Sequence, residues 1–106
     1  MKEVKMFRIS VMYPNTPSKR FDWDYYIKQH ISGVNQFIGK GLVRVEVDKG
    51  IGSGPPGSAA PYVAIAHMYF NTMDDMMKVQ AEAGNSMADI PNFTDIQPQI
   101  QISEIL

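Results

Sequence analysis

Cysteine is absent from this 106-residue chain. Its absence excludes disulfides, thiolate metal centres and a cysteine nucleophile, and it fits a reducing compartment. A charge excess of either sign is missing too: ten basic and eleven acidic residues leave a net charge of −1. Lys and Arg are scattered, so there is no basic field for nucleic acid and no polybasic contact for a membrane surface. Long apolar runs are lacking. The longest, Tyr62 to Phe70, is too short to span a bilayer and contains His67. Met1-Lys2-Glu3-Val4-Lys5 has no signal-peptide core, so a cytoplasmic protein is expected. No His-Glu-x-x-His, EF-hand or zinc spacing occurs, and neither metal nor cofactor is expected. What is present is ordinary globular composition, 44% hydrophobic and 20% charged. It suits one domain over residues 1–106 that buries roughly two-thirds of its unfolded surface.

Met6 to Tyr13 reads as a strand, with Phe7, Ile9, Val11 and Tyr13 on one face and Met6, Arg8, Ser10 and Met12 on the other. Pro14 to Ser18 breaks it. A helix follows from about Trp23 to Phe37, N-capped by Asp22. Trp23, Tyr26, Ile27, His30, Ile31, Val34 and Phe37 form its apolar stripe, and Gly39 and Gly41 stop it. Leu42 to Asp48 is a strand near an edge: Val43, Val45 and Val47 alternate with Arg44, Glu46 and Asp48. After a Gly/Pro/Ser-rich loop, Tyr62 to Phe70 is a third strand. Thr72 with Asp75 opens a second helix that Gly84-Asn85 ends, and Ser86 to Ile90 adds a short turn. Ile96, Ile100 and Ile102 alternate with polar residues in a last strand, where Pro98 implies an edge or a bulge.

The order β-α-β-β-α-β defines an α+β, ferredoxin-like fold: a four-stranded antiparallel sheet with both helices on one face. The third strand is apolar on both sides, and Met6 and Met12 lie on the second side of the first. Such a face calls for cover, and a second copy packed sheet to sheet about a two-fold axis is the simplest cover. A homodimer is therefore expected.

Several stretches carry a family resemblance. Tyr13-Pro14-Asn15 leads to Phe21-Asp22-Trp23-Asp24-Tyr25-Tyr26 and then His30. Pro55 to His67 follows, and Met87-Ala88-Asp89-Ile90-Pro91-Asn92-Phe93-Thr94-Asp95 leads to Gln101-Ile102-Ser103-Glu104. Together they resemble the EthD family, named for ethyl tert-butyl ether degradation. The resemblance implies a dimeric α/β barrel with a small-molecule pocket between sheet and helices, and it carries an oxidoreductase association. It implies cofactor-independent acid–base, decarboxylation or oxygenation chemistry on an apolar or aromatic carbonyl or phenolic compound. The alternatives are a non-catalytic ligand carrier and a haem-binding barrel.

His30 lies on the apolar stripe of the first helix, where a general acid–base residue or a hydrogen-bonded core histidine both fit. Tyr26, one turn before it, and Tyr13, at the end of the first strand, are candidate assisting hydroxyls as well as candidate core residues. On the third strand Tyr62, Ala64 and Ala66 share the face assigned to the helices, where the small alanines leave room for a ligand. His67 lies on the opposite face with Tyr69, so it is an interface residue there. With the facing reversed it would join His30 in one ligand-binding pocket. The segment 89–95 is an ordered turn that docks the last strand and the partner, or forms a pocket rim.

Overall fold

The structure, a computed structural model, describes residues 5–106. The reading of Met1 to Val4 lies outside the described residues. Strands β1 (Met6–Pro14), β2 (Leu42–Lys49), β3 (Tyr62–Phe70) and β4 (Gln99–Ile105) form one sheet in the order β2-β3-β1-β4, each neighbouring pair antiparallel. This is the split β-α-β-β-α-β order expected from the alternation. β2 and β4 are the edges, so Pro98 falls just before an edge strand, where its missing N–H costs no ladder bond. Among the described residues no helix is long and apolar enough to cross a membrane.

Helix α1 (residues 23–35) begins with the α turn Trp23–Tyr25, capped as expected: Tyr25 N donates to Asp22 Oδ1 at 3.1 Å. Its centre, Tyr26–Ile31, is π-helical, and Ser32–Asn35 returns to α geometry. A π turn holds more residues than an α turn. The stripe therefore departs from simple α periodicity: Tyr26, His30, Ile31 and Val34 are buried, whereas Ile27 is 45% exposed. Helix α2 (Met73–Glu82) starts where expected, with Asp75 N donating to Thr72 Oγ1 at 3.0 Å. Gly84 does not end the helical path. It opens a further short helix, α3 (Gly84–Asp89), and a 3₁₀ turn over Ile90–Asn92.

β2 also departs from strict alternation. The register shifts between Leu42 and Arg44, which sends Leu42 into the core at 2% exposure and leaves Val43 outside. Beside its far end, Gly50 N donates to Val63 O, and a Cβ on Gly50 would stand 2.0 Å from the backbone oxygen of Tyr62. Gly50→Ala is accordingly expected to destabilise the fold by about 1–3 kcal/mol, read in urea melts. A variant as stable as wild type would show that this approach is not tight.

The helices cover the face bearing Ile9, Tyr13, Ala64, Ala66 and Phe70, as assigned from Phe70. The opposite face is not the apolar surface the sequence suggested. Met6, Met12 and Ile65 surround a polar centre because the register sets Ser10 opposite His67 and His67 opposite Glu46. Ser10 Oγ is 3.0 Å from His67 Nδ1, Asp48 Oδ2 is 2.8 Å from His67 Nε2, and Tyr69 donates to Glu46 at 2.8 Å. The Arg44 guanidinium lies 3.9 Å from the Tyr69 ring centre.

Candidate functional site

His30 sits at the junction of the π segment with the core. Its ring stacks on Tyr26 (5.7 Å between centres, 15° between planes) and tilts against Phe93 at 4.7 Å. Only 9% of the residue is exposed. A buried imidazole needs partners, and one comes from far along the chain: His30 Nδ1 is 3.0 Å from Asp89 Oδ2. Asp89 Oδ1 accepts from Tyr25 Oη at 2.7 Å and from Asn92 Nδ2 at 2.9 Å. Burial alone would push the Asp89 carboxyl up. The hydrogen bonds from Tyr25, Asn92 and His30, with the charge on His30, outweigh it and hold the carboxyl below its ordinary value. The bond to Asp89, burial and the carboxylate charge together raise the Tyr25 phenol.

Segment 89–95 places Asp89. Asp22 N donates to Phe93 O at 2.8 Å, Thr94 Oγ1 donates to Arg20 O at 2.7 Å, and the Arg20 guanidinium reaches the Pro91 and Asn92 carbonyls. The segment thus docks on the entry to helix α1, which was not among the expected roles. Phe93, fully buried, packs against Tyr13, Phe21, Tyr25, Tyr26 and His30.

A cavity of about 240 Å³ lies between the sheet and the three helices. Tyr13, His30 and Ala66 are on its wall with Val11, Val45 and Met68, and the half-exposed Met87 and Ile100 stand at its rim. A polar cleft adjoins it, sharing His30, Phe37 and Ser86 and adding Gln29, Gln36, Glu82, Asn85 and Asp89. Of the expected site residues, the structure thus brings Tyr13, His30 and Ala66 together. Tyr26 is fully buried behind His30, its hydroxyl without a partner among the described residues. Burial holds the phenols of Tyr13 and Tyr26 far above their ordinary value, so both stay protonated. Ala64 packs in the core off the cavity wall, and the Tyr62 hydroxyl turns to Gln99 at 3.2 Å. His67 is on the other sheet face, which corrects its grouping with the ligand-binding residues: alternation along β3 separates it from Ala66. Asp89, Tyr25 and Asn92 were not singled out as site residues. The only signal was a carboxylate inside the resemblance segment.

The partners fix the protons. A carboxylate only accepts, so neutral His30 carries its proton on Nδ1 and leaves the Nε2 lone pair free. His67 is the reverse: Nε2–H donates to Asp48, and Nδ1 accepts from Ser10. Long-range nitrogen NMR near pH 8 should show two opposite tautomers. One shared tautomer would break this assignment.

The sheet order, the two crossovers and the cavity under the helices define the protomer fold of the dimeric α/β barrels. The EthD domain model matches residues 16–97, and the chain belongs to the EthD family. An EthD-like protein from Ralstonia eutropha JMP134 is 30% identical, with a TM-score of 0.86 over 95% of this chain and 92% of its own. An ethyl tert-butyl ether degradation family protein from Bacillus halodurans C-125 is 18% identical, with a TM-score of 0.74 over 95% and 99%. A cofactor-independent oxygenase from Streptomyces nogalater shares the fold at 7% identity, with a TM-score of 0.56 over 95% and 92%. No curated protein matches the sequence significantly.

Proposed function

We propose that this EthD-family chain is a small-molecule enzyme that binds an apolar or aromatic carbonyl or phenolic compound between helix α1 and the sheet. His30 exchanges a proton with the bound compound. One observation carries the reading: a histidine held at Nδ1 by a carboxylate, with Nε2 unpartnered among the described residues, lies on the wall of an otherwise apolar cavity. The bond to Asp89 orients the ring and stabilises the imidazolium once Nε2 takes a proton. Tyr13, kept protonated by burial, donates a hydrogen bond within the same cavity. Proton transfer from a phenol or from the carbon beside a carbonyl is chemistry these groups can perform. The fold-level likeness to a cofactor-independent oxygenase supports, by analogy, a substrate anion that then meets oxygen. Haem is a poorer fit on size, the cavity being about 240 Å³; of the two histidines only His30 keeps a nitrogen that could ligate iron, both of His67's being engaged.

The same reading has the chain pair with a copy of itself through the outer sheet face, where Met6, Met12 and Ile65 rim the polar centre. A monomeric mass by light scattering at micromolar concentration would remove that part.

The test is a thermal-shift screen against phenols, quinones, lactones and keto acids, with His30→Ala in parallel. A true ligand at a hundred-fold excess over Kd adds about 2.7 kcal/mol to stability. Ligand conversion in wild type and its loss in His30→Ala are expected. Binding without conversion in either protein would make the chain a carrier, and no shift with any class would overturn the site.

A further inference from the structure

We infer that the ligand enters as an uncharged molecule whose polar end donates a hydrogen bond into the cleft, and that carboxylates and phosphates are rejected. This rests on the binding site proposed above and narrows its substrate class.

Charge at the two connected cavities points one way. Among the described residues, no Lys or Arg lines either one. The apolar cavity has no charged residue on its wall except His30 when protonated, and Asp89 already balances that charge. The cleft adds Glu82 and Asp89. An anion lodged here would lose its hydration, find no Lys or Arg to replace it among the described residues, and stand near the Glu82 and Asp89 carboxylates.

The remaining cleft groups suit a neutral donor. Gln29, Gln36, Asn85 and Ser86 can each donate or accept, and both Asp89 oxygens are occupied by protein donors, so among the described residues the Glu82 carboxylate is the acceptor-only group left to a ligand. A hydroxyl or amide at the ligand's outer end meets acceptors there while its apolar body fills the cavity. The chemical consequence is specific. The substrate arrives protonated and becomes an anion only inside, when the O–H or C–H bond breaks, its electron pair stays on the substrate and the proton moves to His30 Nε2. Decarboxylation, which needs a bound carboxylate, is the member of the expected chemistries that this site disfavours.

The test is calorimetry at low salt and near-neutral pH on the full chain with three matched probes: phenylpropanol, its methyl ether and phenylpropanoate. The alcohol should bind tightest, the ether several-fold weaker, and the carboxylate at least about ten-fold weaker than the alcohol. Glu82→Lys should narrow the alcohol–carboxylate gap several-fold. Ala66→Leu, with Val45→Phe as a second filling variant, should weaken all three. A carboxylate as tight as the alcohol, or a gap unchanged in Glu82→Lys, overturns the charge selection and leaves the site standing. An ether equal to the alcohol removes the donor. Failure of all three probes to bind, or full binding in the folded filling variants, overturns the site itself.

Discussion

Phe93→Ala should lose about 3–5 kcal/mol of stability, the range for truncating a fully buried aromatic residue. Domains of this size hold about 5–15 kcal/mol in total. Phe93 stands at the top of that range because it is fully buried and is an aromatic hub. Its ring meets Tyr26 at 5.0 Å, His30 at 4.7 Å, Phe21 at 5.5 Å and Tyr13 at 5.8 Å between centres. Removing it leaves a cavity beside these four rings, which cannot close over it without leaving their own contacts. The loss would also be felt at the site, since Asp22 N donates to Phe93 O and the same segment carries Asp89. Urea melts of Phe93→Ala and Phe93→Leu check this. The leucine variant keeps most of the volume and should lose clearly less. Equal, small losses in both would show that the segment is held by its backbone bonds and not by the ring.

The fold was legible because strand alternation and helix caps are local signals. Phe7, Ile9 and Val11 announce a face by themselves, and Asp22 and Thr72 cap the helices they were expected to cap. What could not be read depends on partners far along the chain. Val43 alternates with Val45 in the sequence, yet the bulge opposite β3 takes it out of the core. Ile27 fits an α-helical stripe, and only the π turn, stabilised by packing, moves it outward. Ser10, Asp48 and His67 look like unrelated residues on three strands until the register makes them neighbours. The site shows the same division. His30 and Tyr13 declare themselves by residue type within an apolar pattern. Asp89 is separated from His30 by 59 positions, and no periodicity links the two.

Asp89→Asn is therefore the most informative substitution. It preserves shape and removes the charge, and its amide must turn either an oxygen or an N–H toward His30. Should the oxygen face His30 Nδ1, the amide N–H₂ is left facing the Tyr25 and Asn92 donors; should the N–H₂ face His30, the ring must present Nδ1 as an acceptor and carry its proton on Nε2. That second tautomer has no lone pair for a substrate proton. Turnover of any compound whose proton passes to His30 should fall by about 10²–10⁴-fold, the usual worth of a positioned acid–base group, with a much smaller change in ligand affinity. A merely structural role would lower affinity and turnover together and leave the imidazole tautomer unmoved. Stability carries a second, independent signature. The folded carboxyl titrates below its ordinary value of 3.8. Its stabilisation is therefore complete above that pH and fades as pH falls through the lower, folded value. The melting temperatures of wild type and Asp89→Asn should differ most near neutral pH and converge in strong acid. A gap that stayed constant down the acid limb would mean that the carboxylate charge contributes nothing, and that His30 is held in place by packing against Tyr26 and Phe93 alone.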